Sequence, residues 1–223
     1  MVDLLDKILL SDDVIKNFYD NYNNAEFNSW LNSILPEVEN CKNLKQDNPW
    51  HIYNCLEHIL HSVEEINKQT KDLDYKTRRL LAYTMFLHDI GKPECYIRRY
   101  SKLYKREVDS FFNHNIAGVK IAQRVLPSFM FNESEQNIIK KLVLDHDMFM
   151  FITLYDDGNK FHKVLTKKLV EDKINELNDI YNGKTMLKYL LMVGTADNKA
   201  QNPKMTKDSL ILVETMKKMV DEI

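Results

Sequence analysis

The sequence predicts an all-α fold, on three observations. Apolar residues recur at helical spacing along most of the chain, no alternating strand-like run stands out, and only five glycines and five prolines punctuate 223 residues. A chain of this length fits one domain with at most a small appendage. A helical extension over 1–34, closed off near Pro36, is expected to precede a single domain over 35–223.

The elements follow in order. Helices are expected over 3–22 and 25–34, the second ended by Pro36. The extension carries Phe18, Tyr19, Phe27 and Trp30, which either pack on the domain or meet a partner. A longer helix over 51–68 has Leu56, Leu60 and Val63 as its apolar stripe, and another covers 74–89. A loop spans 91–112, followed by helices over 114–126 and 133–149. Asn132 stands three residues before Glu135, the spacing of a capping pair. Asp156-Asp157-Gly158-Asn159 reads as a turn. Helices over 162–179, 184–200 and 207–221 complete the chain, with Pro203 just after the penultimate one.

Composition excludes several classes of function. The hydrophobic content of 44% supports a substantial core, and the net charge of -2 exerts no overall pull toward nucleic acid or anionic membranes. Three cysteines, odd in number and without CxxC spacing, read as reduced thiols. The acidic start Met1-Val2-Asp3-Leu4-Leu5-Asp6 carries no signal pattern, and the apolar stretches are too short to span a bilayer. A soluble, cytoplasmic protein with no membrane partner is expected.

The most informative feature is His88-Asp89, which closes an apolar run from Leu80 to Leu87 and is followed by Ile90-Gly91-Lys92-Pro93. An imidazole and a carboxylate at the end of such a helix place two potential metal ligands at the edge of a core. His58 lies upstream, and His114, His146 and Asp197 downstream. Four histidines and two aspartates suffice for two divalent ions, and two ions close together activate water for phosphate ester chemistry.

Periodicity supports these residues. His146 continues the inward stripe of Ile138, Ile139, Leu142 and Val143. His51, Cys55, His58 and Ser62 share a helix face beside the apolar stripe. Leu187, Leu190, Gly194 and Asp197 share another, and a carboxylate on a buried face needs a partner that a cation would supply. A lone histidine on an apolar face is ordinarily a hydrogen-bonded core residue, and a lone aspartate near a helix end ordinarily a cap. Six such residues spread over five segments weaken that reading. Asp145 and Asp147 flank His146 and are placed to orient an imidazole, with a plain surface role expected for at least one. His61 is either an outer support or solvent-facing, and His162 caps its helix or faces water.

Leu56-Glu57-His58, His88-Asp89-Ile90-Gly91-Lys92 and Ala196-Asp197 resemble the HD-domain superfamily of metal-dependent phosphohydrolases. His114 and His146 resemble the two extra histidines of its dinuclear members. Over about 35–200 the likeness extends further. Asn48-Pro49-Trp50-His51-Ile52-Tyr53, and Phe112-Asn113-His114 through Gly118, are similar to the HD region associated with bacterial tRNA nucleotidyltransferases. The glycine-rich start and paired aspartates of the nucleotidyltransferase head are missing, so CCA-adding activity is not expected.

The resemblance implies an HD-type helical domain in which His58, His88, Asp89 and Asp197 hold one ion. Asp89 then bridges to a second ion held by His114 and His146, which makes it a catalytic residue. Imidazole with carboxylate suits iron, manganese, zinc or nickel better than calcium. Water activated by the metals would attack phosphorus, with no protein nucleophile. Lys92 is expected either to contact a substrate phosphate during catalysis or to face solvent. His51, Arg98 and Arg99 are the other candidate substrate-binding residues, His51 alternatively being an outer support.

The expected partner is a phosphorylated small molecule or nucleotide: a phosphomonoester, a cyclic phosphate or a dinucleoside polyphosphate. The alternative is a non-catalytic, metal-containing module that binds nucleotide or RNA. Its support is the stretch 96–106, where Arg98, Arg99, Lys102, Lys105 and Arg106 interleave with Tyr96, Tyr100 and Tyr104. A solvated loop is the commoner role for such a stretch. An oxygenase with a diiron site of HD type has no support beyond the shared ligands.

Overall fold

Short polar side chains start the helices of this chain. In the computed structural model, which describes residues 1–223, Asn54 and Asn132 each accept a bond from the backbone N–H of the glutamate three residues on. Glu57 and Glu135 return it, a reciprocal cap that satisfies two otherwise unpaired donors. Asp13, Asn24, Asp74, Thr166 and Asn182 cap five further helices with a single side chain.

The N-terminal segment forms α1 (Val2–Leu9), α2 (Val14–Tyr22), α3 (Ala25–Ile34) and α4 (Glu37–Asn43). The single helix expected over 3–22 is thus two, because the polar break at Ser11-Asp12-Asp13 lets Asp13 cap a new one. Helix α4 was not anticipated. It has seven residues, too few to show a clear periodicity, and it starts directly after Pro36.

Helix α5 (Cys55–Gln69) begins at its Asn54 cap rather than at 51, and α6 (Tyr75–Leu87) leaves His88 at its C-cap. The loop expected over 91–112 contains a 3₁₀ turn (Lys92–Cys95) and an antiparallel hairpin of β1 (Ile97–Ser101) and β2 (Arg106–Ser110). Nearly all of β1 is exposed, so no alternation of apolar and polar residues marked it as a strand.

Helices α7 (His114–Val125) and α8 (Glu133–Asp145) pack together, and a 3₁₀ segment (His146–Phe151) replaces the last turn expected for α8. The short parallel pair β3 (Ile152–Thr153) and β4 (Lys163–Val164) follows. Helices α9 (Lys167–Leu177), α10 (Gly183–Lys199) and α11 (Lys207–Glu222) end the chain. The helix expected over 162–179 therefore begins later, at the Thr166 cap.

One hydrophobic core runs from Leu5, Phe18 and Leu31 through Leu56, Leu60 and Phe86 to Leu187, Leu212 and Met216. Residues 1–34 contribute to it directly: Phe18 packs against Phe86 of α6, with ring centroids 6.1 Å apart. Asp6 accepts bonds from the Tyr83 hydroxyl and Arg79 Nε at 2.6 and 2.7 Å. The three cysteines are unpaired. No helix is long and apolar enough to cross a membrane. Helix α5 packs between α6 and α10, while α7 and α8 close one side, and the ends of these five helices meet around one buried polar cluster.

Candidate metal centre

The cluster is assembled from helix ends. Helix α5 contributes His58 in its first turn, and α6 delivers His88 at its C-cap with Asp89 next. His114 is the first residue of α7, His146 follows α8, and Asp197 sits in the last turns of α10. All six side chains are buried.

Two glycines allow this convergence. A Cβ on Gly91 would lie 2.3 Å from the carbonyl oxygen of His114 and 2.5 Å from the amide nitrogen of Gly118, so the segment after Asp89 touches the start of α7 backbone to backbone. A Cβ on Gly194 would lie 2.3 Å from the ring of Phe149, which seats the segment after His146 against the helix that carries Asp197. Asn113, at φ 63°, turns the chain into α7 through the left-handed conformation that asparagine tolerates.

The donor atoms fall into two groups joined by Asp89. His58 and His88 bring their Nε2 atoms to 3.3 Å, and His58 Nε2 lies 3.0 Å from Asp197 Oδ1 and 3.0 Å from Asp89 Oδ2. His114 and His146 bring their Nε2 atoms to 3.1 Å, with Asp89 Oδ1 3.1 Å from the first and 3.7 Å from the second. One carboxylate thus divides its two oxygens between two imidazole pairs. Within each of the triads His58–His88–Asp197 and Asp89–His114–His146, the donor atoms all lie within 4.8 Å of one another.

Every imidazole is held from behind. The Nδ1–H groups of His58, His88, His114 and His146 donate to the backbone carbonyls of Ala200, Met85, Phe111 and Val143 at 3.3, 2.6, 2.8 and 2.7 Å. These bonds set the tautomer and aim each Nε2 into the cluster, as the outer partners of metal-ligating histidines do. Four nitrogen lone pairs then face carboxylate oxygens, an arrangement stable only with positive charge among them. Asp89 Oδ2 shows the deficit: it is buried and accepts no well-directed hydrogen bond.

Without metal, protons and one lysine supply the charge. Burial disfavours protonation of His58 and His146, but the surrounding carboxylates outweigh it and raise them to about 9 and about 10. Burial likewise opposes ionisation of Asp89, but Lys92 and the histidines hold its carboxyl well below the usual range. Asp197 is also held low against burial, by His58 and His88.

The remaining predicted residues lie in varied surroundings. Lys92 is buried, its Nζ 2.5 Å from Asp89 Oδ2, 2.8 Å from Gln46 Oε1 and 3.0 Å from His51 Nε2. The ammonium donates to Gln46 and His51 and meets Asp89 as an ion pair. The solvent-facing alternative is therefore corrected: Lys92 is an internal cation paired with Asp89. His51 lies behind it, donating from Nδ1 to Asn48 Oδ1 at 2.8 Å. Burial first, then the charges of Lys92 and His58, push its pKa well down. With His58 and Asp89, His51 forms a third group whose donor atoms all lie within 4.8 Å of one another.

Arg98 is committed elsewhere. It contacts Asp109 at 2.8 Å and Asp47 at 2.9 Å, while Arg106 also contacts Asp47 at 2.8 Å, which clamps the hairpin to the 46–54 segment. Arg99 has no carboxylate partner; it bonds Ser110 Oγ and lies 4.6 Å over the ring of Phe112, two residues before His114. His61 stacks on Tyr53 with centroids 4.0 Å apart, and His162 bonds Asp157 in an exposed turn rather than capping a helix. Asp145 pairs with Lys141 and Lys173. Asp147 instead faces His114 and His146.

Sequence reasoning missed Gln46 altogether, since a single glutamine far upstream carries no motif. It named Asp145 and Asp147 together as placed to orient an imidazole, and only Asp147 meets the rings.

No family model matches the chain. The donor set, imidazole nitrogen with carboxylate oxygen, could hold a metal ion.

Proposed function

We propose that this protein is an HD-type metal-dependent phosphohydrolase that cleaves a nucleotide-type phosphate ester with a metal-activated water. One observation carries the reading: Asp89 directs one oxygen to His58 and the other to His114, at 3.0 and 3.1 Å. A carboxylate divided in this way is what a bridging ligand between two ions requires. In this reading His58, His88, Asp89 and Asp197 hold one ion, and Asp89, His114 and His146 the other.

Iron, manganese, zinc or nickel suits these donors. When bound, such ions supply a deprotonated water at neutral pH and offset charge on the phosphate oxygens. The chain's own part is orientation. Backbone carbonyls aim the imidazoles, and Lys92 holds the bridging carboxylate. Exposed Phe112 and Phe151, near His114 and His146 in the chain, offer flat faces for a base, with Arg99 beside Phe112 for a phosphate. Three unpaired thiols fit a reducing compartment such as the cytoplasm.

The test is metal content by elemental analysis on protein purified without added metal or chelator. A screen of nucleotide monoesters, cyclic nucleotides and dinucleoside polyphosphates follows. Two ions per chain and a hydrolysis abolished by Asp89→Asn are expected. A protein that takes up no manganese, iron or zinc and cleaves none of these esters would end the proposal.

A second reading, a metal-containing module that binds RNA without turning it over, is favoured by the hairpin. There Tyr96 and Tyr100 are exposed beside Arg99, Lys102 and Lys105, none of which has a carboxylate partner. Salt-sensitive RNA binding with no hydrolysis would select it.

A further inference from the structure

Asp147 meets the metal-facing nitrogens of two histidines at once. Its Oδ2 lies 3.2 Å from His114 Nε2 and its Oδ1 3.4 Å from His146 Nε2. The outer nitrogens of both rings are already taken by the carbonyls of Phe111 and Val143. Asp147 therefore does not support the imidazoles from behind, where an orienting carboxylate would sit. It faces the same lone pairs that Asp89 Oδ1 faces from the other side.

Its surroundings differ from those of its neighbour. Asp145 is neutralised by Lys141 at 2.9 Å and Lys173 at 2.6 Å. No lysine or arginine lies within salt-bridge distance of Asp147, whose charged partners are the two imidazoles alone. The chain leaves α-helical geometry at Asp145, with φ -101° and ψ 1°, and enters the 3₁₀ segment, which lets the consecutive residues His146 and Asp147 reach one point.

Exposure is graded across the cluster. The side chains of His58, His88 and His146 are 1%, 0% and 1% exposed, those of Asp197 and His114 10% and 11%, and that of Asp147 23%. Asp147 is thus the most exposed donor of the cluster, and solvent reaches the cluster most readily on its side.

We infer that Asp147 is a ligand of the ion held by Asp89, His114 and His146, and that this ion is the solvent-facing, exchangeable one of the pair. The inference rests on the dinuclear reading above and adds a carboxylate to its second site. That site then offers two imidazoles and two carboxylates, matching His58, His88, Asp89 and Asp197 in donor type. What distinguishes the two ions is access to water.

The experiment is a titration of metal-free protein with cobalt(II), followed by visible absorption, with a chelator chase of the loaded protein. Wild type, Asp147→Asn, Asp145→Asn and His114→Ala are compared. Wild type and Asp145→Asn are expected to bind two ions, one released fast and one slowly by the chelator. Asp147→Asn is expected to keep the slow ion and bind the other more than about 100-fold more weakly, beyond the roughly 10–100-fold loss seen when an outer partner is removed. Any residual second ion should show an altered absorption band. His114→Ala should lose the fast phase.

Retention of both ions by Asp147→Asn within about tenfold of wild-type affinity, or with an unchanged band, would overturn the assignment of Asp147 and leave the dinuclear site standing. Loss of the slow phase in His114→Ala would overturn the exchange order. A wild type that binds fewer than two ions would remove the second site and this inference with it.

Discussion

The Lys92 ammonium lies 2.5 Å from Oδ2 of Asp89, and both side chains are almost wholly buried. The pair is more than a local salt bridge, because Asp89 Oδ2 also faces His58 Nε2 at 3.0 Å. A buried carboxylate left without its cation is strongly unfavourable, whereas a metal ion can take over that role.

Replacing Lys92 by methionine keeps most of its apolar stem and removes the charge. Metal-free Lys92→Met is expected to lose about 3–5 kcal/mol of stability, the usual cost of breaking a buried ion pair from one side. Manganese should recover a large part of it. Urea unfolding with and without the metal measures both. An equal loss in the two conditions would mean that Lys92 and the metal act on different parts of the site.

Gly91→Ala tests the backbone contact that brings His88-Asp89 to His114. The added carbon would meet the His114 carbonyl and the Gly118 amide, both backbone atoms that move only with α7. A cost of at least about 1–3 kcal/mol is expected from such overpacking. Affinity should fall for the ion on the His114 side more than for the ion on the His58 side, as read by cobalt titration.

His58 and His146 make the metal-free protein sensitive to alkali. Burial opposes their protonation, but carboxylates outweigh it and hold them at about 9 and about 10. Both lie above the unfolded value of about 6.5. Their contribution to stability is therefore complete below that pH and is lost as pH rises through about 9 to about 10. Metal binding must displace these protons, so affinity should rise with pH across the same window. Calorimetry at pH 7.5 in buffers of different ionisation enthalpy should show proton release on metal binding; a heat independent of buffer would contradict the assignment.

Arg98 and Arg99 are neighbours with separate roles. Arg98→Ala should loosen the hairpin, seen as faster hydrogen exchange over 97–110, and leave metal content unchanged. Arg99→Ala should leave the hairpin intact and weaken phosphate ester binding, raising KM with little change in kcat. Equal effects of the two substitutions on exchange and KM would show that one surface serves both purposes.

Much of the helical framework was legible in the chain because helices are local. The Asn132–Glu135 cap and the inward stripe of α8 depend on residues a few positions apart, and both appear in the structure. The hairpin was not legible. Its strands are tied down by contacts distant in sequence, such as Arg98 with Asp47, and their own side chains are mostly exposed. The break between α1 and α2 and the short α4 also escaped, since caps and seven-residue helices leave little periodic signal.

The sequence by itself determined the ligand chemistry: which imidazoles and carboxylates exist, and that His146 and Asp197 point inward from their helices. Only the tertiary structure decided how they combine. Packing α6 against α5 and α8, with Gly91 against α7, set Asp89 between two histidine pairs and turned Lys92 inward onto it. It also placed Gln46 and His51 behind that lysine and brought Asp147 to the imidazoles. The reason is physical. Helix periodicity specifies a face within one segment, whereas the distance between atoms on different helices depends on backbone contacts and core packing across the whole fold.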